Sequence, residues 1–223
     1  MSFYEQLTAA TEAERRHLLS APIIDDCLHG RVQLAGYQAF LGQAYHHVRH
    51  TTPLLMSLGG RLPERLSWMR RPVAEYIAEE IGHEEWILDD ITASGGDAQA
   101  VRSSHPDLST EVMVAYAYDL IARANPAGFF GMVFVLEGTS VALALLAADH
   151  IQHALALPAN AFSYLRSHGT LDQEHTQHLA ALLAQMTPQD QQDVLRFAKV
   201  FYRLYGDIFR ALTNATGTNT PCN

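Results

Sequence analysis

The sequence predicts an all-α protein, a bundle of about seven to eight helices, from three observations. Apolar residues recur at helical spacing, and no stretch alternates apolar and polar residues as a half-buried strand does. A hydrophobic content of 48% over 223 residues is ordinary for a globular protein with one core. No internal repeat or long linker divides the chain. We therefore expect a single domain over residues 1–212 and a disordered C-terminal tail over residues 213–223.

Helix-end signals divide the N-terminal half into four predicted helices. Ser2 and Glu5 form a capping box that begins the first helix, and Pro72 is expected to break or kink the fourth. Glycine pairs end the third and the fourth helix. The predicted spans are residues 2–20, 22–30, 34–58 and 63–92.

Four more helices are predicted in the C-terminal half. Pro126 opens a long central helix, and Thr187 with Pro188 caps the last one. Gly169 and Thr170 interrupt the helix between them, so Thr170 is expected to cap a new helix that ends near residue 185. The predicted spans are residues 109–125, 126–155, 160–185 with that interruption, and 188–212.

Charge and composition exclude several classes of partner and site. A net charge of -9 and a pI of about 5.7 argue against nucleic acid or an acidic membrane surface as a partner. The most apolar run, residues 129–148, contains Glu137, and charges interrupt residues 1–19, so we expect a cytoplasmic protein without a membrane span. Cys27 and Cys222 are expected to be free thiols, because two cysteines make neither a disulfide framework nor a cysteine-rich zinc site.

Histidines and carboxylates at helical spacing predict a metal site. At ~100° per residue, His168, Asp172 and His175 fall within ~60° of one another, and Glu80 shares a face with His83. Imidazole and carboxylate ligands together suit iron or manganese, and the carboxylate-x2-His pair occurs in di-iron bundles. The predicted ligands are Glu80, His83, Glu137, His168, Asp172 and His175.

Glu137 lies in an apolar helix, where an unpaired carboxylate would cost several kcal/mol. It needs a metal, an arginine or a hydrogen-bond network, and a metal is our first choice. The register of the upstream carboxylate stays open, because Glu79 lies four residues before His83 and could share its face. A longer spacing would place the ligand at Tyr76, which has no carboxylate.

The pattern does not match a ferritin-like di-iron bundle. That bundle needs a carboxylate on the helix before the Glu80-x2-His83 pair, and residues 27–63 contain no Asp or Glu. The remaining arrangement resembles the haem-oxygenase-like di-iron oxidases, within the superfamily of the TenA/THI-4 thiaminases and the PqqC-type quinone-cofactor oxidases. The resemblance extends to the segments 40–45, 79–86 and 135–138.

The resemblance implies a haem-oxygenase-like (TenA/PqqC-like) fold with two Fe2+ ions, manganese being an alternative. It implies one ion at Glu80, His83 and Glu137 and a second at His168, Asp172 and His175, with Glu137 bridging. Family members activate O2 and oxidise a small molecule by decarboxylation, C–C cleavage or N-oxygenation. We expect a non-haem di-iron oxidase whose substrate is an amphipathic carboxylic acid or amine.

The resemblance also implies a homodimer. The last helix carries Phe201, Tyr202, Tyr205 and Phe209 among its aromatic residues, and Tyr202 lies about 100° from Phe201 around the helix. We expect Tyr202 to face the partner, while Phe201, Tyr205 and Phe209 could equally close the core.

Alternative functions are metal-free or haem-dependent. A thiaminase-like hydrolase needs a deeply placed nucleophilic cysteine, which neither Cys27 nor Cys222 is expected to supply, and thiaminases carry an Asp where this chain has Ala44. A cofactor-free oxidase of the quinone-cofactor type needs a pocket rich in Arg and Lys, in which the chain is poor. A haem enzyme would need a proximal histidine such as His17 or His29, and a non-catalytic binding protein is the last alternative.

A second histidine cluster, His46, His47 and His50, stays open at this stage. It could ligate haem, support the metal site, contact a substrate carboxylate together with Arg49, or form a partly exposed polar face.

Overall fold

The structure, a computed structural model, describes residues 1–212, except for the side chains of residues 170–174. Every regular element in that range is helical, which confirms the all-α prediction. Three short 3₁₀ helices lie at residues Glu64–Met69, Pro126–Phe129 and Ala159–Ala161. The α-helices are α1 Phe3–Ala10, α2 Glu12–Leu19, α3 Pro22–Leu28, α4 Leu34–Val48, α5 Thr51–Arg61, α6 Arg70–Glu80, α7 His83–Ala93, α8 Ala98–Ser103, α9 Leu108–Arg123, α10 Phe130–Leu155, α11 Ser163–Ala184 and α12 Pro188–Ala211. The predicted tail and Cys222 lie outside the described residues.

Several predicted helices are each divided in two. The first breaks at Thr11 into α1 and α2, and the third breaks near His50 into α4 and α5. In the fourth, Pro72 lies in the first turn of α6, where the missing N–H costs no hydrogen bond, so it does not kink the helix as predicted. The real break is ten residues later, between Glu80 and His83.

The predicted interruption at Gly169 and Thr170 is wrong, because α11 runs without a break from Ser163 to Ala184. Gly169 has a packing role instead: a Cβ added there would lie 2.7 Å from Cγ of Leu145. Its missing side chain lets α11 approach α10 closely. The glycine therefore sets the distance between the two helices and not the end of one.

α10 is the central helix and packs against α3, α11 and α12. The segment Pro126–Leu155 is long and apolar enough to cross a membrane by composition, with a mean hydropathy of 2.0. Buried core helices have the same composition, and Glu137 lies in the middle of this one. α12 also lies in the core, and Tyr202 is only 2% exposed and packs on Phe134.

The interpretation of Tyr202 as a partner-facing residue is therefore wrong. All five aromatic residues of that helix, Phe197 among them, are buried within the chain. The homodimer stays a prediction that this helix does not support.

Candidate metal centre

A break in the chain shapes the first half of the centre. α6 ends at Glu80, Gly82 adopts a positive φ of 93°, and α7 begins at His83. A left-handed residue of this kind favours glycine, which allows the sharp turn. Glu80 and His83 therefore do not share a helical face, as the spacing predicted. They meet across the turn, with Oε2 of Glu80 3.1 Å from Nδ1 of His83.

His168 of α11 completes a trio with these two residues. One ligand atom from each of Glu80, His83 and His168 lies within 4.8 Å of the other two. Glu80 and His83 are buried, at 8% and 4% exposure. The short contact between them lacks the geometry of a hydrogen bond, and Nδ1 of His83 has no hydrogen-bond partner among the described residues. Two imidazoles and one carboxylate form the donor set of non-haem Fe(II) sites, so the residues fit iron.

Neighbouring aromatic rings and a helix cap hold the trio in place. Trp86 stacks on His83, with ring centroids 4.0 Å apart, and Tyr164 packs edge-on against His168 at 4.8 Å. Buried Asp90 of α7 accepts hydrogen bonds from the backbone N–H groups of Ser163, at 2.8 Å, and Tyr164, at 2.9 Å. Asp90 thereby caps the N-terminus of α11 and ties the helix that carries His168 to the helix that begins at His83.

A second group lies around Glu137 and His175, both of which are buried. Nδ1 of His175 lies 3.8 Å from Oε1 of Glu137, and its Nε2 lies 3.3 Å from Oε2 of the half-exposed Glu79. Tyr76 lies beside both groups. Burial and the nearby Glu137, Glu79 and Glu80 carboxylates raise the pKa of its phenol, which stays protonated at neutral pH.

The distances group the histidines differently from the family resemblance. His168 lies with Glu80 and His83, whereas the resemblance implies it for the second ion. Both upstream carboxylates contact a predicted ligand: Glu80 contacts His83 and Glu79 contacts His175. The predicted ligand Asp172 has a side chain outside the described residues.

A cavity of about 170 Å³ opens beside the centre. Glu80, Glu137 and His168 form part of its wall, and most of the remaining surface is apolar. No arginine or lysine lines it in the described part of the chain. The cavity is therefore suited to an apolar molecule, and it lacks the cations that a polyacidic substrate or the propionates of a haem would need.

The structure separates the three clustered histidines. His46 bonds the Ser104 hydroxyl at 2.9 Å and His50 bonds the Tyr118 hydroxyl at 3.1 Å, so both tie α4 to neighbouring segments. Only His47 lines the cavity. Arg49 is exposed, lies over the Tyr45 ring and does not line the cavity, so this cavity gives no support to the hypothesis that it contacts a substrate carboxylate.

Cys27 lies at the cavity, whereas the two candidate haem ligands lie at the surface. Cys27 is buried and lines the cavity, contrary to the expectation that it is poorly placed. Burial raises the pKa of its thiol to about 11, so it is a weak nucleophile at neutral pH. The candidate haem ligands His17 and His29 are both exposed and do not line the cavity.

Comparisons with known proteins agree with this fold. Residues 38–206, most of the chain, match the family described as iron-containing redox enzyme. No protein of curated function matches the sequence.

Three solved structures are similar in fold at low identity. A domain of unknown function with a haem-oxygenase-like fold from Shewanella denitrificans is 22% identical, with a TM-score of 0.86 over 95% of this chain and 92% of that one. A TenA homologue from P. horikoshii is 10% identical, with a TM-score of 0.78 over 95% and 98%. Haem oxygenase-1 from the cyanobacterium Synechocystis, in complex with haem, is 11% identical, with a TM-score of 0.73 over 95% and 92%. At these identities the similarity establishes the haem-oxygenase-like fold.

Proposed function

The chain belongs to the iron-containing redox enzyme family, and on that premise we propose that it is a non-haem di-iron oxidase. It activates O2 and oxidises a small organic molecule, with an amphipathic carboxylic acid or amine as the class expected from the sequence. The observation that carries the proposal is the trio of Glu80, His83 and His168, of which Glu80 and His168 lie on the cavity wall.

The proposed ligands divide between the two groups described above. Glu80, His83 and His168 hold one ion, while Glu137 and His175, together with Asp172, serve the second. The two groups adjoin each other at Tyr76. Bound ferrous iron supplies the electrons and open coordination positions that O2 chemistry requires.

The surrounding residues orient the ligands and exclude water. Trp86 fixes the plane of the His83 ring, and the apolar wall keeps bulk water away from the centre. The protonated Tyr76 phenol lies against Glu137, where it can donate a hydrogen bond to a carboxylate oxygen. Such a hydrogen bond would orient the carboxylate that the proposal assigns to the second ion.

The test is iron binding and O2 consumption by anaerobically prepared protein. The wild type is expected to bind about two Fe(II) per chain and to consume O2 when air is admitted. His83→Ala should lose at least one of these ions and the O2 consumption. His153→Ala, which removes an exposed histidine of α10, serves as the matched control and should behave as the wild type does.

Two results would overturn the proposal. One is iron binding by His83→Ala equal to that of the wild type. The other is porphyrin absorbance in place of non-haem iron, which would identify a haem enzyme of the kind that the Synechocystis structure represents.

A further inference from the structure

The cavity is long and follows the central helix. Its α10 wall runs from Glu137 past Ala144 and Ala147 to Ile151, a distance of about 21 Å at 1.5 Å of rise per residue. The two alanines are small, which leaves room along the helix, and α3 forms part of the opposite wall with Ile24 and neighbouring residues. An elongated apolar molecule can therefore lie along α10 with one end at the metal centre.

His47 is a polar exception in this wall. It is only 4% exposed, lies beside the Tyr205 ring with centroids 5.8 Å apart, and makes no hydrogen bond within the described residues. Its neighbours His46 and His50 both have hydroxyl partners. Because the His47 side chain lines the cavity, a molecule bound there can supply the hydrogen-bond partner that the described residues do not.

We propose that His47 is a specificity-determining residue that hydrogen-bonds the head group of an elongated, mainly apolar substrate beside the metal centre. That the end of the substrate bonded by His47 is also the end that reacts rests on the proposed function. The hydrogen bond itself does not, since it depends on the cavity and on the free imidazole alone.

The charge state of His47 determines which interactions it can make with the head group. Burial, with a smaller effect of the neighbouring His168, lowers its pKa to about 3, so the ring is neutral at physiological pH. A neutral imidazole offers one N–H donor and one acceptor nitrogen and carries no positive charge. It can therefore hydrogen-bond a hydroxyl, an amine or one oxygen of a carboxylate, and it adds no ion pair to any of them.

The test uses octanol and its fluorine analogue fluorooctane, which has a similar shape and hardly forms hydrogen bonds. Binding to the metal-free protein is measured by equilibrium dialysis. His47→Leu should weaken octanol binding by about 10-fold, the equivalent of one buried hydrogen bond, and leave fluorooctane binding unchanged. His47→Gln, which keeps a donor and an acceptor, should retain most of the octanol affinity.

His50→Leu is the matched control, because it removes a histidine of the same cluster that bonds Tyr118, and neither probe should respond to it. A second measurement needs no variant. In protein labelled with ¹⁵N-histidine, octanol should shift the His47 imidazole signals and fluorooctane should not.

Equal losses for both probes in His47→Leu, no loss for octanol, or no binding of either probe to the wild type would overturn the inference. Iron stoichiometry, measured separately, keeps the two proposals apart. Normal iron binding with no effect of His47 on octanol rejects this inference and spares the di-iron oxidase. If the protein binds no iron but His47→Leu weakens octanol binding selectively, the di-iron oxidase is rejected and this inference stands.

Discussion

Two buried carboxylates, Asp190 and Glu80, differ in the partners that the fold gives them. Asp190 is 0% exposed and lies in the first turn of α12, whose N-cap is Thr187. Arg65 donates two hydrogen bonds to it, at 2.7 and 2.8 Å, and Thr187 and Asn125 donate one each. Burial alone would raise the pKa of Asp190, but these hydrogen bonds outweigh it and lower the pKa to about 2.

Glu80 is buried almost as deeply, at 8% exposure, but its neighbours are different. The side chains around it are His83, His168, Tyr76 and the apolar cavity wall, and its contact with His83 lacks hydrogen-bond geometry. The protein supplies both charge and hydrogen bonds to Asp190. At Glu80 it supplies ring nitrogens of His83 and His168 and, within the described residues, no arginine or lysine.

The comparison shows how a structural carboxylate differs from a functional one with similar burial. A structural carboxylate receives all of its hydrogen-bond and charge partners from the folded chain, so removing it lowers stability. A functional carboxylate receives its remaining partner from a bound cation, so removing it should weaken the binding of that cation.

The largest effect on stability is expected for Asp190→Ala. The substitution leaves Arg65 and Asn125 without their shared acceptor and should lower the free energy of unfolding by about 3 kcal/mol. For a chain of this size that corresponds to a decrease in Tm of roughly 9 °C. Thermal unfolding of the metal-free protein measures it. Glu80→Gln is the matched substitution and should change stability by less than about 1 kcal/mol; an equal loss in both variants would remove the distinction.

Iron should stabilise the folded protein by a similar amount. At a free Fe(II) concentration 100-fold above Kd, binding at one site adds about 2.7 kcal/mol to the free energy of unfolding. Asp190→Ala should gain the same increment as the wild type, because its site is intact. His83→Ala should gain much less. Anaerobic thermal melts with and without Fe(II) test this, and a smaller increment in Asp190→Ala would show that the two regions are coupled.

The smallest effect concerns pH and separates His47 from Asp190. The folded pKa of His47, about 3, lies below the unfolded value of ~6.5, so the unfolded chain takes up a proton first as pH falls. Its contribution to the stability of the metal-free protein decreases from about pH 6.5 downward, by at most about 1.4 kcal/mol per pH unit.

Asp190 acts in a lower pH window. Its depressed pKa contributes stability that is present above the unfolded value of ~3.9 and is lost as pH falls towards 2. The free energy of unfolding, measured with denaturant at several pH values between neutral and about pH 4.5, should therefore change less with pH in His47→Gln than in the wild type. In Asp190→Asn its dependence on pH should be the same as in the wild type. An unchanged dependence on pH in His47→Gln would mean that His47 is solvated in the folded state.

Local signals along the chain were reliable where they depend on neighbouring residues only. The capping box at Ser2 and Glu5 forms, with both hydrogen bonds present, and the Thr187 side chain accepts a bond from the N–H of Asp190 at the start of α12. Such caps involve atoms three residues apart and need no tertiary context. Gly169 and Pro72 were misinterpreted, because a helix tolerates glycine when a neighbouring helix needs the space, and proline when it lies in the first turn.

The sequence by itself determined the helical class, the family resemblance and the residue types of the centre. Helical spacing establishes which side chains share a face, since 3.6 residues complete each turn. Only the tertiary structure decided which face points inward. It placed His168 beside Glu80 and His83 and turned His47 into the cavity.

Tertiary packing also buried Tyr202 and Cys27, which the sequence placed at the surface or near a chain end. The physical reason is the same in each case. Spacing determines angles around one helix axis, whereas burial depends on how other helices, distant in sequence, pack against it.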